Sequence, residues 1–454
     1  MLNEAIFREY DIRGLAETEL ADPEVERIAM AVAAIYVRDN KKEIAVGMDG
    51  RPSSGRIKDL FCRTLARYGL QVIDLGLVPT PVVYYAAFRR NLGGAAIITA
   101  SHNPSEYNGF KVLLGTAALY GEQIREIYSL AVNGPFPPEK KGRIRKQDII
   151  EEYLKYIEGN ITLKKKLRVV VDGGNGTGGL TAPELYRRLG AEVIPIYCDV
   201  DGRFPNHHPD PTVVKNLQDL IAKVKETGAD LGIGLDGDAD RLGVVDGRGR
   251  ILWGDQLLIV YARDILKGHP GATIISEVKA SEVLYSEIRK HGGVPIMWKA
   301  GHSLIKKKIF EVNALAAGEV SGHVFFNDKW FGFDDAVYAG ARLLEILAGG
   351  DSSLAEIFDS IPQVFNTPEI RIDCGDDVKF RVVDAVREHF QKILPVIDID
   401  GARVTFPHGW ALVRASNTQP SLVVRYEADT EEELQKIQVQ FDEVIRRAQA
   451  EFGK

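Results

Sequence analysis

Apolar residues fall in short runs along this chain, and one succession recurs three times: an apolar run, a polar loop, a stretch of helical period closed by glycine, and a second apolar run. The copies are EIAVGMDGRPSSGRIKDLFCRTLARYGLQVIDLG, LRVVVDGGNGTGGLTAPELYRRLGAEVIPIYCD and TIISEVKASEVLYSEIRKHGGVPIMWKAG. Gly69, Gly190 and Gly292 stand where a helix C-terminus favours a residue free to take positive φ. Each copy is followed by another helical stretch and a further strand, GGAAIITA, ADLGIGLD or ALAAGEV, which ends in a polar loop. Apolar runs without strict alternation imply strands covered on both faces, hence α/β layers. The pattern predicts three similar α/β domains with mixed sheets, residues 1–147, 148–250 and 251–362. Links such as NGPFPPEKKGR carry the Pro, Gly and charge of a boundary. Residues 363–454 predict a smaller α+β domain: a strand, the helix DDVKFRVVDAVREHFQKIL, strands around Gly401 to Glu427, and a helix from Thr430.

A length of 454 residues agrees with three or four domains. The formal charge of −7 argues against a nucleic-acid partner, which needs a basic excess, but permits a small anionic substrate beside a local cluster of Lys and Arg. Cys62, Cys198 and Cys374 lie far apart, without zinc-site or disulfide spacing. The opening segment MLNEAIFREYDIRG is charged where a signal peptide is apolar, and no run approaches the ~18 apolar residues of a membrane span. A cytoplasmic chain without membrane partner is expected.

In open α/β sheets, ligands gather beyond the carboxyl ends of the strands. The first such loop is TASHNPSEYNGFKV, in which Asn103-Pro104 forces a turn expected to expose Ser101 beside His102, with Lys111 following. No Asp–His relay and no G-x-S-x-G elbow equips this serine for acyl transfer, so a phosphate carrier suits it better. The second loop, GLDGDADR, spaces Asp236, Asp238 and Asp240 by two. Three carboxylates so close repel unless a cation neutralises them, and all-oxygen donors point to Mg²⁺ or Ca²⁺. An EF-hand is excluded, because Arg241 and Gly247 replace its glycine and its glutamate. Arg241 suits a phosphate contact beside the metal.

The third loop, GEVSGHVFF, alternates Glu319, Ser321 and His323, which predicts an extended segment with these side chains on one face, suited to a sugar diol. Near the C-terminus, RASNTQPS offers Arg414, Ser416, Asn417 and Thr418, one cation and several neutral donors in the manner of a phosphate cradle. GNGTGG at 174–179 matches a dinucleotide fingerprint, with Asp199 twenty residues on, but its sibling repeats lack it. It predicts a helix-start turn.

Taken together, FREYDIRG, TASHNPSEYNGFKV, PNHHPDP, GLDGDADR, EVKAS, MWKAGHSLIKKK, GEVSGHVFFNDKWFGFDD and RASNTQPSLVVRYEA resemble the α-D-phosphohexomutase family over nearly the whole chain, most closely its phosphomannomutase/phosphoglucomutase branch. The resemblance implies three similar α/β domains and a smaller α+β domain around a central cleft. It implies interconversion of hexose 1-phosphate and 6-phosphate through phosphorylated Ser101 and a hexose 1,6-bisphosphate. Mg²⁺ would be held by Asp236, Asp238, Asp240 and the Ser101 phosphate. Arg13, Lys111, Arg241, His302 and His323 would crowd the transfer point, while Tyr10, His102 and Lys279 would hold ligand. Glu319 and Ser321 would grip the O3 and O4 hydroxyls, and Arg414, Ser416, Asn417 and Thr418 the phosphate that is not reacting. The phosphoglucosamine branch carries a Gly-Thr-Glu-Pro type loop where this chain has Asn417-Thr418-Gln419-Pro420, so mannose and glucose phosphates are the expected substrates. An aspartyl phosphatase is the rival enzyme, but it expects Thr or Val at Asp240 and gives TASHNP no role. A non-catalytic sugar-phosphate sensor would tolerate loss of Ser101 or of one Asp, and all are present.

Overall fold

The computed structural model describes residues 2–416 and 420–452. Its first three sheets share one plan. In each, the first strand of the repeat lies between the second and third, and all three run parallel. These are Glu43–Met48 between Gln71–Leu77 and Gly94–Ile98, Arg168–Asp172 between Glu192–Ile196 and Leu231–Leu235, and Thr273–Glu277 between Val294–Trp298 and Ala316–Gly318. A fourth strand then returns antiparallel on the third: Tyr107–Leu114, Leu242–Asp246 or Val324–Phe326. The predicted repeat is therefore one strand longer than its sequence pattern shows. The consequence is functional, because the Ser101 loop, the GLDGDADR loop and the Glu319–His323 loop are the hairpin turns between the third and fourth strands.

Local chemistry sets these elements. The helices that lead into the third strands run Thr80–Arg89, Gln218–Thr227 and His302–Val312. Pro81 enters the first turn of one helix, where its missing N–H costs nothing. Gly228 at φ 59° and Asn313 at φ 52° close the other two in left-handed geometry, turning the chain into its strand. Gly69, Gly190 and Gly292 take φ values of 90°, 99° and 80° at the ends they were predicted to close.

One expectation is corrected. Glu319 to His323 is not extended: the Glu319 amide donates to the His323 carbonyl at 2.9 Å and the Gly322 amide to the Glu319 carbonyl at 3.0 Å. The segment is a tight turn with Gly322 at φ 91°, and two-residue spacing does not put its side chains on a common strand face. The GNGTGG segment is a turn into a short helix, as predicted. It leads into the 3-10 turn Thr177–Leu180 and the helix Ala182–Arg188. Its glycines serve packing: a Cβ on Gly176 would stand 2.7 Å from the Gly237 carbonyl oxygen, so this loop lies directly against the aspartate hairpin.

A continuous apolar core runs through the three α/β units. Its junction is aromatic: Trp330 stacks on Tyr338 with centroids 4.3 Å apart, and Tyr85 meets Tyr153 edge-on at 5.5 Å. Such pairs add roughly 0.5–1.5 kcal/mol each beyond their burial, and the Tyr85–Tyr153 pair ties the first unit to the second. The last unit has its own core, between an antiparallel sheet that includes Ala402–Phe406, Gly409–Ala415 and Ser421–Ala428 and the helices Lys379–Phe390 and Glu431–Phe452. No helix among the described residues is long and apolar enough to cross a membrane.

Candidate active site

Ser101 leaves the first sheet in the left-handed region, at φ 50°. Its amide donates to Thr99 Oγ1 at 2.9 Å. The turn does not expose this serine as expected: the aspartate hairpin packs over it, and its buried hydroxyl donates to Asp236 Oδ2 at 2.7 Å, with His102 Nδ1 3.2 Å away. Gly237 permits this approach, since a Cβ there would collide with the Ser101 carbonyl. Burial, and then Arg241, Arg13 and Lys111, hold His102 well below the ordinary histidine range.

Asp236, Asp238 and Asp240 are buried, and each offers an oxygen within 4.8 Å of the others. Asp236 Oδ1 accepts the amides of Asp240 and Arg241, at 3.1 and 3.2 Å. Asp238 Oδ2 accepts Thr80 Oγ1 at 2.5 Å and Lys111 Nζ at 2.7 Å, and Lys111 also donates to Asp240 Oδ2. Burial, together with Asp240 and Asp238, pushes Asp236 well above the usual carboxylate range. Burial would raise Asp240 as well, but Lys111 leads the groups that outweigh it and hold this carboxyl low. Lys111 answers in kind: burial lowers it, while Asp238 and Asp240 together keep it firmly protonated. Asp238 Oδ1 and Asp240 Oδ1 are buried with no hydrogen-bond partner among the described residues. Hard oxygen donors, orphaned oxygens and an excess of negative charge fit a small divalent cation such as Mg²⁺.

Beside this cluster, Arg241 Nε donates to His323 Nε2 at 3.0 Å. The proton of a neutral His323 is thereby placed on Nδ1, which lies 3.0 Å from Asp334 Oδ2, outside good hydrogen-bond alignment. Asp334 also gathers Lys306 Nζ at 2.9 Å and His302 Nδ1 at 3.5 Å. Burial opposes its charge, yet Lys306 and the two imidazoles hold Asp334 well below the carboxylate range. His302 stacks on His323 at 5.2 Å, and burial, then Lys306, lowers its basicity. Asp240, His323 and Asp334 thus approach metal-ligand spacing, but Arg241 and Lys306 already supply positive charge there.

A second group of side chains meets at Ala300–Gly301. Tyr10 Oη donates to the Ala300 carbonyl at 2.8 Å, and the Gly301 amide donates to Glu319 Oε1 at 2.8 Å. The Ala300 amide donates to Asp400 Oδ2 at 3.0 Å, the same oxygen that accepts Arg414 Nε at 3.0 Å. Lys279 Nζ lies 3.2 Å from Glu369 and 3.5 Å from Glu277. Arg13 Nη1 donates to Asn103 Oδ1 at 2.6 Å and pairs with Asp11. The structure thus joins Ser101, the three aspartates and Lys111 directly, and couples Arg241, His323 and His302 beside them. Tyr10, Glu319 and Arg414 form a separate group, linked to the first by the chain from Gly301 to His302. Ser321 is half-buried in its hairpin turn, and Ser416 is buried beside Lys379, which donates to its carbonyl at 2.6 Å. Asn417 and Thr418 lie outside the described residues.

Family models describe the same four units. Three phosphoglucomutase/phosphomannomutase alpha/beta/alpha domains, I, II and III, match residues 4–136, 151–249 and 253–365, and the C-terminal domain of that family matches 369–444. The chain belongs to the phosphoglucomutase/phosphomannomutase family. Within this family it is 46 % identical over 452 residues to a phosphomannomutase/phosphoglucomutase of Pseudomonas putida, covering 99 % of this chain and 97 % of that protein. It is 45 % identical over 444 residues to a phosphoglucomutase of Neisseria meningitidis, covering 97 % and 96 %. A family protein from Burkholderia thailandensis of known structure superposes with a TM-score of 0.94 at 40 % identity, covering 99 % of this chain and 98 % of that one. Four neighbours of the site carried no sequence signal strong enough to single them out: Thr80, Arg51, Lys306 and Asp334. Asp334 stood inside a quoted motif, but nothing in FGFDD tells which carboxylate turns inward.

Proposed function

We propose that the chain interconverts hexose 1-phosphate and hexose 6-phosphate, with mannose and glucose phosphates as substrates and a hexose 1,6-bisphosphate as intermediate. The observation that carries this reading is the hydrogen bond from the Ser101 hydroxyl to Asp236, which sets a buried serine against a buried carboxylate cluster with two unpaired oxygens.

In the first transfer, phosphorylated Ser101 gives its phosphoryl group to the free sugar hydroxyl. The Oγ–P bond breaks and a sugar O–P bond forms; the sugar hydroxyl gives up its proton and Ser101 Oγ takes one, regenerating its hydroxyl. After the bisphosphate turns over, its other sugar O–P bond breaks, the phosphate returns to Ser101 Oγ as that hydroxyl loses its proton, and the freed sugar oxygen takes a proton. The cycle therefore consumes nothing, and one acid/base group suffices for both halves. His323 can accept a proton at Nε2 only by releasing Arg241, which ties that proton step to movement of the cation beside the metal cluster. A Mg²⁺ held by Asp236, Asp238, Asp240 and the serine phosphate would neutralise charge on the group in transit. Lys111, kept protonated between two aspartates, adds a fixed positive charge at the same place. Arg13 acts on the serine loop through Asn103, and His102 packs against the serine.

The second group reads the sugar. Glu319 and Ser321 take the O3 and O4 hydroxyls, and Tyr10 and Lys279 flank them. Arg414 with Ser416, Asn417 and Thr418 receives the distal phosphate. In the structure Arg414 is paired with Asp400, so an arriving phosphate competes with an internal carboxylate. A coupled assay with mannose 1-phosphate, glucose 1-phosphate and glucosamine 1-phosphate, primed with a trace of bisphosphate, tests the reading. Turnover of the first two supports it; turnover of the amino sugar alone overturns the substrate assignment, and phosphate release without isomerisation overturns the reaction.

A further inference from the structure

We propose that Arg51 is a positioning residue for phosphoryl transfer, holding the backbone of the Ser101 loop in its working shape. The proposal rests on the reading that Ser101 carries the phosphoryl group. Arg51 follows the strand Glu43–Met48, and its side chain is wholly buried. All five of its N–H bonds have acceptors. Nη2 donates to the carbonyls of Ser101 at 2.7 Å and Asn103 at 2.6 Å. Nη1 donates to the carbonyls of Tyr107, at 3.1 Å, and Pro104. Nε donates to Asp49 Oδ2 at 3.0 Å. One planar cation therefore gathers four backbone carbonyls of a single loop.

The serine amide is held from the same root. Asp49 Oδ2 accepts Thr99 Oγ1 at 2.8 Å, and that hydroxyl oxygen accepts the Ser101 amide at 2.9 Å. Ser101 is not a glycine, yet its φ is 50°. A non-glycine residue stays in that region only when its surroundings over-determine it. Asp49 and Arg51 supply that constraint from both sides of the serine. Phosphate or sugar need not touch Arg51, whose guanidinium faces the Phe204 ring 5.2 Å away. Its effect passes through the placement of Oγ, so it belongs to the transfer step more than to binding. Lysine cannot replace it, because an ammonium offers three donors from one point where the loop needs a planar fork.

The test compares the full chain with Arg51→Lys and Arg51→Ala, each pre-incubated with hexose 1,6-bisphosphate and magnesium. Misplacing a nucleophile by about 1 Å costs on the order of a hundredfold, so both variants should lose roughly 30- to 100-fold in kcat with KM within about threefold of native. Methylguanidinium should restore kcat to Arg51→Ala and not to Arg51→Lys, whose side chain fills the space. Arg51→Lys with kcat within about threefold of native, or losses in kcat that track the folded fraction in a thermal melt, would overturn the proposal. Should Arg51→Ala fail to fold, Arg51→Lys decides alone by its split of kcat from KM. Intact mass separates this proposal from the reading beneath it. Wild-type protein without a phosphate on Ser101 removes the serine assignment; phosphorylated wild type beside a fully active Arg51→Lys removes only the role of Arg51.

Discussion

Thr80 and Asp238 are hydrogen-bonded twice across 158 residues of sequence, from Thr80 Oγ1 to Asp238 Oδ2 at 2.5 Å and from the Thr80 amide to the Asp238 carbonyl at 2.9 Å. The first helix turn of one α/β unit thereby orients a carboxylate of the next. Thr80→Val keeps the shape and the amide bond but removes the hydroxyl. Partners that orient metal-binding groups are typically worth roughly 10–100-fold in metal affinity or activity. Magnesium titration of the variant should therefore show a right-shifted requirement, with a stability loss of about 1–3 kcal/mol for the lost buried contact. An unchanged magnesium requirement would show that Asp238 needs no such support.

Gly301 carries the contacts that join Tyr10 to Glu319. A Cβ on it would meet the Tyr10 ring at 2.5 Å, and its φ of 132° is one that L side chains rarely adopt. Gly301→Ala should push Tyr10 away and loosen the Glu319 contact. We expect KM to rise about tenfold for both 1-phosphate and 6-phosphate sugars, with a smaller fall in kcat. Steady-state kinetics with both substrates decide it, and a variant with native KM would place the sugar elsewhere.

Arg414→Ala removes a cation from the distal cradle, which touches a phosphate that does not react. Its binding energy is nearly equal in ground and transition states, so KM should rise for both substrates, with less effect on kcat. Losing a charge-assisted contact should cost roughly 1.5–3 kcal/mol, about ten- to a hundredfold in apparent affinity. The bisphosphate should also escape more often, raising dependence on added bisphosphate. Impairment toward one substrate alone would show that the two orientations do not share this loop.

Asp335 caps the helix Ala336–Gly349, accepting the Tyr338 amide at 2.8 Å and the Tyr153 hydroxyl at 2.9 Å. Burial pushes its carboxyl up to about 7. A folded-state value above the unfolded one means the native state holds the proton more tightly, so this contribution to stability is lost as pH rises from about 4 through 7. Asp335→Asn cannot titrate. The stability advantage of wild type over this variant should therefore shrink by about 2–3 kcal/mol between pH 5 and pH 8. Denaturant melts at the two pH values check this, and a constant difference would contradict it.

The repeat was legible because its signals are local. Gly69, Gly190 and Gly292 mark helix ends whatever surrounds them, and the apolar runs before Thr99, Asp236 and Glu319 mark buried strands. The antiparallel fourth strand was legible in the second unit, where the aspartate turn runs into the apolar LGVVD, but not in the others, because segments such as NGFKVLL show no alternation that separates strand from loop-flanking core. Glu319 to His323 misled for a related reason: two-residue spacing describes a strand face only if the backbone is extended, and Gly322 bends it. Within the site, the sequence singled out side chains that stand in unusual loops. It could not single out Thr80, whose partner lies in the next unit, Arg51, which acts through backbone carbonyls, or Asp334, whose partners Lys306, His302 and His323 lie elsewhere in the sequence of its own unit.

The central claim is that Ser101 carries the phosphoryl group between the two ends of the sugar. Its most direct test is intact-mass analysis of wild type and Ser101→Ala after incubation with hexose 1,6-bisphosphate, with mutase turnover measured on the same samples. The account predicts one phosphate on wild type, located at Ser101 by peptide mapping. It predicts no adduct and almost no turnover for a folded Ser101→Ala protein. A phosphate on another residue, or a Ser101→Ala variant active within a few-fold of wild type, would contradict it.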